Sequence, residues 1–282
     1  RLMEYLRTFT KKIEQVSVDE CYMDFTGIAD RWNSPVDGAV EIKDGIKAQF
    51  GFTVNIGIST NKLLAKMASD FEKPDRIHTL YPEEIKEKMW PLPIGELYMA
   101  GKSSVEVLKK LEINTIGDLA QADLKLITLH LKSHGKMLWE FANGIGTSVV
   151  QSEPDEAKGI GNSTTLSEDA ATMEEIRPVF ERLAQSVGSR LKKAEKKAGM
   201  VSMEIKYYDF RTVSHQIQLD KPSNDPEVLK ETACSLFLEV WSGEPVRLLG
   251  IRTSKLSDET APEQLSIFDI EIPKEPDEKH KR

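Results

Sequence analysis

Asp19 and Glu20 stand side by side within residues 16–25 (VSVDECYMDF), a run otherwise rich in β-branched and aromatic residues. That composition predicts a strand, and a regular strand aims neighbouring side chains at opposite faces. Either one acid simply faces solvent, or the strand ends or bulges there and both carboxylates converge on a cation. Hard cations such as Mg²⁺ take oxygen ligands and keep positions open for phosphates. A pair of them about 3.5–4 Å apart activates an attacking oxygen and stabilises a leaving one. Asp24 is a further acid, but its neighbours Met23 and Phe25 suit an ordinary strand.

Basic groups follow at spacings that suit anions. Lys66 falls on a helix after the next strand, and Lys73, before Pro74, falls just past its end. A lysine at the end of a sheet neutralises a phosphate as a point charge, although a lone lysine is more often solvated surface. Ala100-Gly101-Lys102-Ser103-Ser104 opens a helix, whose first N–H groups are suited to a phosphate or are simply capped. The spacing excludes an ATP-binding P-loop. Arg190, Lys192, Lys193, Lys196 and Lys197 form a basic run broken by Glu195, either a field for nucleic acid or a solvated helix face. Cys21 and Cys234 lie in no CxxC or Cys/His cluster, which argues against zinc and for reduced thiols in a cytoplasmic protein.

The elements that must position these groups show in the periodicity. A helix is expected over 35–50, with Val36, Val40, Ile46 and Phe50 as its stripe. A strand is expected over 52–58, a helix over 61–71 and a short strand over 77–80. Alternating strands and helices imply an α/β sheet covered on one face. Residues 91–150 read as short helices, and 151–158, polar with Pro154, as a linker. Beyond them, strand and helix periods alternate as β-α-β-β-α-β over 159–255, the split βαβ arrangement, which by itself assigns no function.

The chain has 282 residues, 39% hydrophobic and 30% charged, enough for two or three cores. No apolar run is long enough to span a membrane, and no signal peptide is visible. Arg1 falls inside a helical pattern (Leu2, Met3, Leu6, Phe9), so the chain is expected to begin in mid-structure, as a fragment. The net charge of −8 argues mildly against a nucleic-acid binder. Residues 256–282, however, hold eight acids and four bases. This tail reads as disordered, with an unexplained apolar cluster at 264–269 (QLSIFD).

Taken in order, the motifs resemble the Y-family DNA polymerases, in the bacterial DNA polymerase IV branch, over nearly the whole chain. Ser17-Val18-Asp19-Glu20 is similar to the family's second metal-binding palm motif. Gly57-Ile58-Ser59-Thr60-Asn61-Lys62, with Ala65-Lys66 and Lys73-Pro74, resembles the approach to its triphosphate site. Pro91-Leu92-Pro93-Ile94-Gly95 and Gly101-Lys102 resemble the thumb. Residues 160–166 (IGNSTTL) and 246–252 (VRLLGIR) resemble the outer strands of the little finger. Gln264-Leu265-Ser266-Ile267-Phe268 resembles the family's sliding-clamp peptide.

The resemblance implies a multidomain α/β (α+β) chain. It would comprise a partial palm (1–90), a helical thumb (91–150), the linker, a ferredoxin-like βαββαβ little finger (159–255) and a disordered tail (256–282). Its activity would be translesion DNA synthesis in DNA repair. Asp19 and Glu20 would be catalytic, two of three carboxylates that hold two Mg²⁺, and Lys73 would contact the incoming dNTP. Gly101, Lys102, Ser103, Arg247 and Arg252 would contact primer-template DNA. Gln264, Leu265, Ile267 and Phe268 would dock on the sliding clamp, as short peptides fill an apolar groove. A cytoplasmic monomer without membrane contact is implied. The first palm motif, with a third carboxylate and the residue that screens ribose, is missing, as are the fingers, so the chain alone is expected not to polymerise. Arg76 and Met99 stand where the family has glycines. The rival readings are a non-catalytic DNA- and clamp-binding module, and a generic α/β protein with a ferredoxin-like appendage.

Overall fold

A computed structural model describes residues 1–153 and 156–260, and the chain divides into two compact units, Arg1–Asp155 and Glu156–Arg282. In the first unit, α1 (Leu2–Leu6) precedes β1 (Ile13–Gln15) and β2 (Cys21–Met23). Then come α2 (Pro35–Phe50), β3 (Ile56–Ile58), α3 (Lys62–Asp70) and β4 (Ile77–Thr79). The unit continues through α4 (Lys102–Lys110), α5 (Ile116–Gln121) and α6 (Leu124–Ala142).

The single strand expected over 16–25 is instead a hairpin. β1 and β2 pair antiparallel, Ile13 opposite Met23 and Gln15 opposite Cys21, and residues 16–20 make the turn. Ser17 writes this turn: its Oγ accepts from the N–H groups of Asp19 (3.3 Å) and Glu20 (3.2 Å). The backbone closes it through Val16 N–H to Glu20 O at 2.9 Å. Val18 is 91% exposed there, so its β-branching never reaches a ladder. The strand expected over 52–58 narrows to β3, which pairs parallel with β4, Ile56 opposite Ile77. The expected α/β sheet is thus two separate two-stranded pieces.

Helix α2 has the expected limits. Ser34 caps it by accepting from Asp37 N–H (3.2 Å), Pro35 occupies its first turn, and Gly51 ends it at φ 76°. Half of the expected stripe faces the core, with Ile46 buried and Phe50 packed against it, whereas Val36 and Val40 are exposed and Gly38, Ala39 and Ile42 are buried instead. The small residues win because aromatic rings lie against this face; a Cβ on Gly38 would meet the Trp32 ring at 3.0 Å. A second core joins Leu64 and Met67 of α3 to Leu108, Ile116, Ile127 and Leu138 of the later helices, so α3 is anchored from both sides of residue 90.

The second unit follows the expected order: β5 (Gly159–Ala170), α7 (Met173–Lys193), β6 (Lys196–Tyr207), β7 (Thr212–Ser223), α8 (Pro226–Val240) and β8 (Val246–Asp258). The antiparallel sheet runs β5-β8-β6-β7. Val201, Met203, Ile205 and Tyr207 alternate into a core with Phe180, Val187 and Phe237 of the two helices. Ser202, Glu204 and Lys206 alternate to the other, uncovered face. Two expectations shift here. The basic run is not one helix, because α7 stops at Lys193, Glu195 turns the chain at φ 54° and Lys196 starts β6. The tail expected to be disordered from 256 begins inside β8, which reaches Asp258. Among the described residues no helix is long and apolar enough to cross a membrane.

Candidate functional site

In the first unit the β1–β2 turn and α3 bring four charged side chains into one chain of contacts. Asn61 caps α3 by accepting from Leu64 N–H at 2.9 Å, which fixes where the helix begins and so where Lys66 falls. Lys66 Nζ lies 2.6 Å from Glu20 Oε1 and 3.1 Å from Asp70 Oδ2. Asp70 Oδ1 in turn lies 2.6 Å from Lys73 Nζ. Burial alone would lower the Lys66 pKa, but the Glu20 and Asp70 carboxylates outweigh it and raise it. Burial would likewise raise Asp70, yet hydrogen bonds from Lys73 and Lys66 hold it below the usual carboxylate range.

Asp19 stays on the solvent side of the turn and accepts from Ser17 Oγ at 2.6 Å. The two acids therefore share a turn rather than a strand, and the parity of a strand no longer separates them. Adjacent oxygen donors facing solvent suit a hard cation, which commonly takes one or two protein carboxylates and fills its other positions with water and phosphate. Among the described residues no group of three or more His, Cys, Asp or Glu side chains gathers to hold a metal. Beside the turn, Lys62 Nζ pairs with Glu14 at 2.7 Å and stands over the Tyr22 ring at 5.6 Å. Burial, then Tyr98, push the Tyr22 pKa up to about 12.

Lys73 is 60% exposed past the end of α3, with Asp70 as its salt-bridge partner. Gly101 is the N-cap of α4, and no side chain caps the helix, which begins at Lys102 and Ser103. Met99, before it, takes φ 69°, the backbone region that its glycine-like position called for. Arg76 is exposed and pairs with Glu72 at 3.1 Å.

In the second unit Arg247 and Arg252 both lie on β8. Their odd separation would put them on opposite faces of a regular strand. A bulge resolves this: Tyr207 pairs with Val246 and Lys206 with Leu248, leaving Arg247 as an extra residue. Val246, Leu249 and Ile251 are buried, so the alternation restarts after the bulge. Arg252 is exposed, and no ion pair or hydrogen bond engages its guanidinium among the described residues. Arg247 is engaged: Asp169 accepts from its Nε (3.2 Å) and Nη2 (3.1 Å). Gln264, Leu265, Ile267 and Phe268 lie outside the described residues.

Two partners were not among the candidate residues read from the sequence. Asp70 could have been found, since it stands four residues after Lys66 on the same helix face and only three before Lys73, just past the helix end. Asp169 carried no such signal, because its partner lies 78 residues away across two irregular strands.

Residues 1–70 match the impB/mucB/samB family, and residues 157–267 match the impB/mucB/samB family C-terminal domain. The chain is 46% identical over 268 residues to "DNA polymerase IV" of Clostridium acetobutylicum, covering 95% of this chain and 67% of that protein. It is 40% identical over 265 residues to "DNA polymerase IV 1" of Bacillus subtilis, covering 93% of this chain and 64% of that one. The chain thus spans about two thirds of the length of these curated relatives. Among solved structures, a Y-family DNA polymerase chimera superposes with a TM-score of 0.77 at 23% identity, covering 91% of this chain and 74% of that chain.

Proposed function

This chain belongs to the impB/mucB/samB family of Y-family DNA polymerases, and from that membership we propose that it serves template-directed DNA synthesis of the translesion kind. The reaction joins the primer 3′-hydroxyl to the α-phosphate of a dNTP, and pyrophosphate leaves. The observation that carries this reading is the acidic turn of Asp19 and Glu20 set against the Lys66, Asp70 and Lys73 chain.

Together with a third carboxylate from the family's first palm motif, Asp19 and Glu20 would hold two Mg²⁺. When bound, the metal neutralises charge on the phosphoryl oxygens and eases ionisation of the attacking hydroxyl. Ser17 orients the turn by taking the N–H groups of both acids. Lys73 would meet the triphosphate, exchanging Asp70 for phosphate oxygens. In the first turn of α4, Gly101, Lys102 and Ser103 would offer backbone N–H groups to a DNA phosphate. Arg247 and Arg252 would meet the DNA backbone from the uncovered sheet face, with affinity that falls as salt rises. Gln264, Leu265, Ile267 and Phe268 would dock on a sliding clamp. A cytoplasmic monomer fits this work.

The hold of Lys66 on Glu20 favours one second reading, a DNA- and clamp-binding module without catalysis. Primer extension with Mg²⁺ and all four dNTPs separates the two. The chain is assayed alone and completed with the part of the Clostridium acetobutylicum relative that lies outside the match. The completed protein is expected to extend the primer, and Asp19→Ala is expected to abolish extension while leaving DNA binding. Extension that survives Asp19→Ala would remove the catalytic assignment. Binding without extension by any form would support the module.

A further inference from the structure

Resting on the reading that the uncovered sheet face meets DNA, we infer that Asp169 and Phe210 are positioning residues that pre-set the Arg247 guanidinium for a phosphate.

The placement is built by irregularities in two neighbouring strands. On β8, Arg247 is the extra residue between Val246 and Leu248. On β5, the ladder runs to Thr165 opposite Leu248 and resumes at Ala170 opposite Val246. The four residues between, ending at Asp169, bow out opposite Arg247 alone. The β6–β7 turn supplies the third member: Phe210, 65% exposed with φ 68°, lies with its ring centroid 4.8 Å from the guanidinium carbon.

The chemistry of the pairing is specific. A guanidinium carries five N–H donors in a planar fork. Asp169 takes the side edge, Nε and Nη2. The end edge, formed by Nη1 and the second Nη2 hydrogen, has no acceptor among the described residues. That edge matches two oxygens of a phosphate. The aromatic ring covers one face of the fork and also gains from the cation. One edge and one face are therefore occupied within the chain, and the remaining edge is kept for the ligand. A long side chain that is ordered before binding loses less entropy on binding.

The rival role for Asp169 is a mask that cancels the arginine charge, and it differs in sign. Removing a mask tightens DNA binding; removing a positioning residue weakens it, even though a negative charge has left the surface. Binding of a labelled primer-template duplex by the full 282-residue chain is measured over a salt series. Arg247→Ala is expected to weaken binding and to flatten the slope of log K against log salt by about 0.9. Asp169→Ala is expected to weaken it about three- to tenfold. Asp169→Asn, which keeps the size and one acceptor, is expected to lose less. Neither is expected to add any loss in the Arg247→Ala background, which sets the effect apart from damage to the fold. Unchanged or tighter binding by both Asp169 variants overturns the inference, as does a loss that persists without Arg247. If Arg247→Ala and Arg252→Ala both bind as the parent does, the DNA reading of this face falls, and the inference with it.

Discussion

Lys66 reaches from α3 to the β1–β2 turn and donates to Glu20 Oε1 at 2.6 Å, while its own helix supplies Asp70 at 3.1 Å. A carboxylate so held has one oxygen committed, and a cation arriving at the turn must share or displace the ammonium. Lys66→Met is therefore expected to tighten Mn²⁺ binding, measured by the paramagnetic signal of free Mn²⁺. A hydrogen bond to a charged group is worth about 1.5–3 kcal/mol, and the low end, suited to a half-exposed carboxylate, corresponds to a gain of about tenfold. Weaker Mn²⁺ binding by the variant would show that Lys66 orients Glu20 instead of competing for it.

The distance from α3 to the sheet beneath it depends on Gly57. A Cβ there would lie 1.9 Å from Ala65 O and 2.5 Å from Ser69 N, both backbone atoms of α3 that cannot rotate aside. Gly57→Ala must push the helix off β3, at a cost of roughly 1–3 kcal/mol. Urea denaturation is expected to show a lower midpoint with an unchanged slope. Because Lys66 rides on the displaced helix, the Lys66–Glu20 contact is expected to loosen as well. An unchanged midpoint would mean that the close approach is not there in solution.

What could be read from the sequence follows the range of the forces involved. The split βαβ unit was legible because each of its strands and helices carries its own apolar period, as in Val201, Met203, Ile205 and Tyr207. The ends of α2 were legible because Ser34, Pro35 and Gly51 act on their own neighbours. The buried face of α2 was legible only at Ile46 and Phe50, since Gly38 and Ala39 are chosen by the rings that approach them, and neither is large enough to mark a periodicity. The turn at Ser17 was hidden by β-branched neighbours whose propensity a single hydroxyl overrides. The shared placement of Arg247 and Arg252 depends on a bulge, and a bulge is a relation between strands that no local pattern records.

Met99 offers a test of backbone cost at the mouth of α4. It adopts φ 69° while the residue is 52% exposed, so little packing offsets the unfavourable backbone. A left-handed residue with a Cβ costs about 1–2 kcal/mol, and glycine returns about 0.5–1 kcal/mol of that through its greater unfolded freedom. Met99→Gly is expected to stabilise the chain by roughly 0.5–1 kcal/mol in urea denaturation. Met99→Ala keeps the Cβ and is expected to give no such gain. Equal stabilisation by both would place the effect in the exposed methionine side chain.

Asp24 ties the end of β2 back to its surroundings and should govern part of the acid response. Hydrogen bonds from the Thr26 side chain, then the Thr26 N–H, then Lys12, lower its pKa from 3.8 to about 2. Because the folded value lies below the unfolded one, the unfolded chain binds the proton more readily as pH drops. The stabilisation is therefore complete above about pH 4 and is lost as pH falls towards about 2. Asp75, held to about 2 by hydrogen bonds from Lys43 and Lys47, adds a loss in the same window. Asp24→Asn is expected to lower the melting temperature at pH 6 and to make its decline between pH 4 and 2 shallower, without abolishing it, as read by circular dichroism. A decline as steep as the parent's would mean that Asp24 gives up its proton no more readily in the fold than in the unfolded chain.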